Sequence, residues 1–202
     1  MIPVNREELS VLVVGLGNRE ITPDALGPRV ADNMMITRHV IREFGKYALG
    51  AEHSNLISSI VPGVMAQTGM ESLEIIRGVI RETEPDCIVA VDALAARSVK
   101  RLNRTIQITN TGINPGSGVG NHRHGLNRES VGIPVIAIGV PTVVDAATIV
   151  NDAISGYYEE VDCTLNSFFV TPKDIDESIK RLSFTISEGL NLAFEKTACT
   201  NS

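Results

Sequence analysis

Two aspartates sit where apolar runs of the chain give way to loops: Asp24 in "GLGNREITPDALGP" and Asp92 in "DCIVAVDALAARS". Two carboxylates brought side by side do not both ionise easily, so one tends to hold a proton while the other stays charged. Such a pair can activate water as a general base and protonate a carbonyl or leaving group as a general acid. It can also chelate a metal, but that needs a third ligand, usually histidine. The clustered histidines, His122 and His124 in "NHRHG", lie at i, i+2 spacing in a Gly-, Asn- and Ser-rich stretch, the setting of a solvated surface. Each aspartate also has a plainer reading. Asp24 suits a helix N-cap facing free backbone N–H groups, and Asp92 suits the polar end of a strand.

Other chemistries find less support. Gly15 and Gly17 open a partial dinucleotide fingerprint, but the position three after Gly17 is Glu20 rather than glycine. A carboxylate there would repel a phosphate. There is no Walker lysine and no G-x-S-x-G elbow, and Ser117 in "PGSG" has no recognisable base partner. Cys–His chemistry is equally unsupported. Aromatic content of 4% offers few platforms for stacking bases or sugars.

The elements that must position the aspartates read as alternating strands and helices. "SVLVVGLG" (Ser10–Gly17) is a buried-strand run. A helix is expected from Asp24 to about Phe44, with Leu26, Val30, Met34 and Met35 on its apolar side and His39 and Ile41 continuing it. Pro28 must lie in its first turn. "SNLISSIVPG" is a second strand. A helix follows with Met70, Leu73, Ile76 and Ile80 on one face, stopped by Pro85. "DCIVAVDALAARS" is a third strand, ending at Asp92, and "RTIQIT" (Arg104–Thr109) is a short alternating one. A strand over Val135–Val140 precedes a helix beyond Thr142. The last helix takes Thr171 as N-cap, with Pro172 and Asp174 in its first turn. Thr109–Ser130 is a long irregular stretch of the kind that is usually functional or mobile, and Gly156–Ser167 reads as a surface connection.

This order implies one α/β domain over 1–202 with a mostly parallel sheet. Open sheets of that kind collect their ligand sites at the carboxyl ends of the strands. Asp92 and the loop carrying Asp24 both fall there.

Composition sets the outer limits. The chain has 202 residues, 43% hydrophobic and 21% charged, and can bury a core without disulfides or metals. A formal charge of -6 argues against nonspecific nucleic-acid binding. Three scattered cysteines (Cys87, Cys163, Cys199) form no CxxC pair. Cys87, in an apolar run, is expected to be a small buried hydrophobe. Met1–Ser10 is polar and charged, so no signal peptide is expected, and no apolar run is long enough to span a bilayer. A cytoplasmic protein is the expectation.

The strings "VVGLGNREITPDALGPRV", "PGVMAQTGMES", "VDALAARSVKRLNRTIQITNTGINPGSGVGN" and "GIPVIAIGVPTVVDA" together resemble the germination proteases of spore-forming bacteria, and the likeness resumes at "FFVTPKDIDESI" and "SEGLNLAF". The resemblance implies a three-layer α/β sandwich similar to hydrogenase maturation peptidases. It implies an aspartic-type endopeptidase that degrades small acid-soluble spore proteins during germination in the forespore or spore core. With no histidine at a matching strand end, catalysis without a metal or other cofactor is the expectation. Mapped by motif, its two implicated aspartates are the Asp of "TPDALGP", Asp24, and the Asp of "VDALAARS", Asp92. It also implies a homo-oligomer. Members are made as zymogens with a propeptide and an additional N-terminal region. Only about ten residues precede the first strand here, so the usual zymogen switch is not expected in this chain. The segment Gly156–Phe168 reads as shorter than the family's insertion.

Arg97, just past Asp92, is a supporting candidate that can stabilise developing negative charge or hold an acidic substrate side chain. An ordinary surface arginine is its plainer reading. Asn18 is a second, expected to orient the Asp24 loop through its side chain. Two alternatives stand beside the aspartic reading: a metal-assisted peptidase using the same two carboxylates, and a catalytically silent binding module of the same fold.

Overall fold

The structure, a computed structural model, describes residues 8–49, 55–116, 124–154 and 163–195. The apolar run after Leu9 forms β1 (Ser10–Gly15), flanked by β2 (Leu56–Ile60) and β3 (Cys87–Ala96). With β4 (Gln107–Thr109), β5 (Val135–Asp145) and β6 (Phe169–Val170), they make one sheet in the order β2-β1-β3-β5-β4, β6 pairing with β5. The pairs β1–β2, β1–β3 and β3–β5 are parallel, whereas β4 and β6 run antiparallel to β5. The sheet is mostly parallel, as the alternation of elements predicts.

Strand alternation sorts the core into two faces. Val11, Val13, Val89, Val91, Ile138 and Val140 pack with Leu26 and Val30 of α1 (Leu26–Asn33) and with Ile175, Ile179 and Ile186 of α7 (Ile175–Phe194). On the other face Leu12, Val14, Ile88, Ala90 and Val135 pack with Leu73 and Ile76 of α4 (Ser72–Thr83). The result is three layers, helix on sheet on helix. Cys87 lies in the first cluster, 1% exposed, as expected of a buried hydrophobe.

Several boundaries depart from the sequence reading. The single helix expected from Asp24 to Phe44 is broken: α1 ends at Asn33 and α2 spans Arg38–Phe44. The backbone turns extended at Met34, whose φ and ψ are -70° and 138°. Tertiary bonds win over helix continuation there. The Thr37 N–H donates to the Ile57 carbonyl at 3.1 Å, and the Thr37 hydroxyl accepts from the Ile57 N–H at 2.9 Å and donates to the Asn55 carbonyl. Asn191 of α7 closes the broken end, accepting from Met35 N–H at 2.9 Å and donating to the Asn33 carbonyl.

Strand β3 runs past Asp92 to Ala96, because Ala93–Ala96 find partners on β5, which itself continues to Asp145. Met70 lies outside α4 and is 48% exposed, so it is not part of the core face. A short helix, α3 (Met65–Thr68), precedes α4 and has no periodic signal in the sequence. The strand expected over Arg104–Thr109 shortens to β4. Two further helices are α5 (Arg128–Val131) and α6 (Ala146–Ile154). Thr171 does not cap α7. Asp174 takes that position, and the Thr171 hydroxyl instead donates to the Thr142 carbonyl at 2.9 Å. Of the two irregular stretches, residues 117–123, including Ser117 and His122, and residues 155–162 lie outside the described residues.

Candidate active site

The loop "GLGNREITPDALGP" is a close-packing device. A β-carbon on Gly27 would stand 2.3 Å from the Leu16 carbonyl oxygen and 2.4 Å from that of Val91. One on Gly15 would stand 2.3 Å from the Gly27 carbonyl oxygen. The first turn of α1 therefore lies directly on the carboxyl ends of β1 and β3, and only glycine permits that approach. The Leu16 N–H donates to the Val91 carbonyl at 2.8 Å, closing the same seam. Gly17, at φ +112°, makes the turn out of the strand.

That turn fixes Asp24. The residue ends a 3-10 turn, Thr22–Asp24, whose backbone hands over to α1. Its carboxylate does not cap the helix: Ala25 is the N-cap, without a side-chain bond. Asp24 Oδ2 instead accepts from the Asn18 backbone N–H at 2.7 Å. Asn18 thus holds the aspartate with its main chain, while its side chain braces the loop from within, as expected. The amide oxygen serves the loop itself, accepting from Glu20 N–H at 3.0 Å and from the Gln67 side chain at 3.3 Å.

Asp92 continues the α4 face of β3 after Ile88 and Ala90. It is 4% exposed, and its Oδ1 accepts from the following Ala93 N–H at 2.9 Å. In the row across the sheet, Asp92 stands opposite Gly139, and Gly139 stands opposite Gln107. Residues in one row share a sheet face. Gln107 and Asp92 therefore flank a position that carries no side chain of its own.

Asp24, Asp92, Asn18 and Arg97 all line one cavity of about 850 Å³ above the carboxyl ends of β1, β3 and β5. This volume is ample for a segment of peptide. The structure also brings Arg101, Gln107, Asn114 and Thr142 to this cavity. These four depend on pairings that the sequence alone does not reveal. Arg97 is exposed, as is Arg101 beside it on the cavity rim. Their segment is anchored to α6 by Asp152, whose Oδ2 accepts from the Ser98 hydroxyl at 2.9 Å and the Val99 N–H at 2.8 Å. Asn114 is held by the Ile113–Leu126 bridge. The far side of that loop is tied to α4 through His124 Nδ1 and Glu71 Oε2, 2.6 Å apart. Among the described residues, no group of three or more His, Cys, Asp and Glu is placed to hold a metal ion.

The family model described as germination protease matches residues 3–161. The germination protease of Caldanaerobacter subterraneus subsp. tengcongensis is 44% identical over 220 residues, covering 94% of this chain and 67% of that protein. That of Bacillus velezensis is 55% identical over 148 residues, covering 73% of this chain and 40% of that protein. The chain thus spans about two thirds of the length of the first relative and less of the second. Among solved structures, a NiFe hydrogenase maturation protease from Thermococcus kodakarensis KOD1 is similar at a TM-score of 0.44, with 18% identity over 93% of this chain and 94% of that one.

Proposed function

The chain belongs to the germination protease family, and on that premise we propose that it is an aspartic-type endopeptidase that initiates breakdown of small acid-soluble spore proteins. Asp24 and Asp92 are its water-activating pair. The observation that carries this reading is that both carboxylates line one cavity at the carboxyl edge of the sheet. Asp24 is held there by the Asn18 N–H, and Asp92 is buried in the central strand.

The pair works with one shared proton. The charged carboxylate takes a proton from a water molecule as its oxygen attacks the scissile carbonyl carbon. The protonated carboxyl gives its proton to the carbonyl oxygen. Collapse of the tetrahedral intermediate breaks the C–N bond: the departing nitrogen takes up the proton first removed from water, and one hydroxyl of the intermediate returns its proton to the other carboxylate, which restores the shared proton. Neither step needs a group beyond the two acids and the water. Arg97 either stabilises developing negative charge or holds an acidic side chain of the substrate. Asn18 keeps Asp24 in place through its backbone. By family resemblance the enzyme works as a homo-oligomer in the forespore or spore core and belongs to a zymogen lineage.

Incubation of the full chain with a small acid-soluble spore protein, with cut sites mapped by mass spectrometry, tests the reading. A few discrete cuts are expected. A substrate that is bound but never cut would replace the peptidase reading with that of a silent binding module.

A further inference from the structure

Strand β5 carries one residue more than β3 where the two run past the cavity. Leu94 stands opposite Pro141 and Ala95 opposite Val143, which leaves Thr142 without a partner on β3. A bulge of this kind bends its strand and re-aims a side chain, and bulges collect beside active sites. This one is pinned from two directions. The Asn103 N–H donates to the Pro141 carbonyl at 2.8 Å, and the Thr171 hydroxyl donates to the Thr142 carbonyl at 2.9 Å. Gly139, three residues earlier on the same strand, is the partner of Asp92.

Thr142 lines the same cavity as Asp24 and Asp92. It is 1% exposed, and its hydroxyl has no hydrogen-bond partner among the described residues. A buried hydroxyl left unpaired is unfavourable, and a valine of the same shape would avoid that cost. Asn103 also has buried unpartnered side-chain atoms, but it is not part of the cavity lining. Thr142 is thus an unsatisfied donor, fixed by a bulge, in the cavity that Asp24 and Asp92 also line.

We propose that Thr142 is a third catalytic residue of this site, its Oγ1–H donating to the scissile carbonyl oxygen of the bound peptide as negative charge gathers there. The inference rests on the reading of Asp24 and Asp92 as the hydrolytic pair. Thr142 forms no covalent bond. Water still supplies the attacking oxygen, and the carboxylates still carry the protons. A donor whose partner gains charge in the transition state speeds the chemical step more than it tightens binding.

The test is steady-state cleavage of a small acid-soluble spore protein by the full chain carrying Thr142→Val or Thr142→Ser, with Asp92→Asn as the reference and a thermal midpoint for each. Thr142→Val is expected to lose about 10²-fold in kcat, the size seen when one such donor is removed, with KM little changed. Its thermal midpoint should be no lower than that of the parent, since the hydroxyl lost had no partner. Thr142→Ser, which keeps the hydroxyl, should recover most of the rate. A Thr142→Val enzyme with the parent kcat would overturn the inference, and an inactive Asp92→Asn beside it would leave the aspartate pair standing. A lowered midpoint together with equal losses in the Val and Ser variants would assign Thr142 to structure and overturn the inference too. An active Asp92→Asn would remove the pair and Thr142 with it.

Discussion

Gly17 lies against Asp24 so closely that a β-carbon on the glycine would stand 2.1 Å from the aspartate's carbonyl oxygen and 3.0 Å from its Oδ1. The glycine loop is therefore shaped around the acid. Its turn places one carboxylate at the carboxyl edge of the sheet.

Two glycine substitutions separate positioning from folding. Gly17→Ala adds strain at φ +112° and pushes on Asp24. It should cost about 1–3 kcal/mol of stability and lower kcat in the fraction that remains folded. Gly27→Ala drives a methyl into the Leu16 and Val91 carbonyls. It should destabilise by about 1–3 kcal/mol or more, as overpacking does. Urea unfolding and single-substrate kinetics on both variants check this. A Gly17→Ala enzyme with unchanged kcat would show that the loop does not aim Asp24.

The break between α1 and α2 has its own test. Thr37 is 7% exposed, and its hydroxyl serves both Ile57 N–H and the Asn55 carbonyl. Thr37→Val leaves both without that partner and should cost about 1–3 kcal/mol. Because the site lies at the opposite, carboxyl end of β1, kcat of the folded enzyme should hold.

Cys87 gives a pH dependence. Burial, reinforced by the charge of Asp86, pushes its thiol up to about 11 from an ordinary 9.0. Between those values the unfolded chain loses a proton that the folded chain keeps, so the unfolded state is favoured as pH rises. The contribution is fully present below pH 9 and lost toward pH 11. Chemical unfolding across that window should show a steeper decline for the parent than for Cys87→Ala. Alkylation of the folded protein should be slow at neutral pH.

The fold was legible in the sequence where local pattern suffices. The apolar runs give β1, β2, β3 and β5, and a parallel sheet puts Asp24 and Asp92 at one edge. What stayed hidden depends on partners distant in sequence. Nothing within 26–44 reveals that Thr37 will bond β2 or that Asn191 will close α1. Strand β3 reads as ending at Asp92 because a carboxylate looks terminal, yet Ala93–Ala96 are paired by β5. Gln107 and Thr142 reach the cavity through an antiparallel edge pairing and a bulge, and neither register is written in one strand. Thr171 resembles a helix cap, but the Thr142 carbonyl takes its hydroxyl.

Metal removal addresses the neighbouring chemistry. Among the described residues, the side chains lining the cavity include the carboxylates of Asp24 and Asp92 but no histidine, cysteine or glutamate. Two carboxylates alone make a poor zinc site. Cleavage should therefore survive exhaustive chelation at an unchanged rate. Loss of activity restored by one particular ion would move both acids from proton transfer to metal binding.

The most direct measurement is kcat for Asp24→Asn and Asp92→Asn on a small acid-soluble spore protein, each variant first shown by circular dichroism to be folded. Each substitution keeps the shape of the side chain and removes its capacity to hold or release the proton. Both should lose about 10²–10⁴-fold or more, with substrate binding retained. Parent rates in either folded variant would contradict the two-aspartate account.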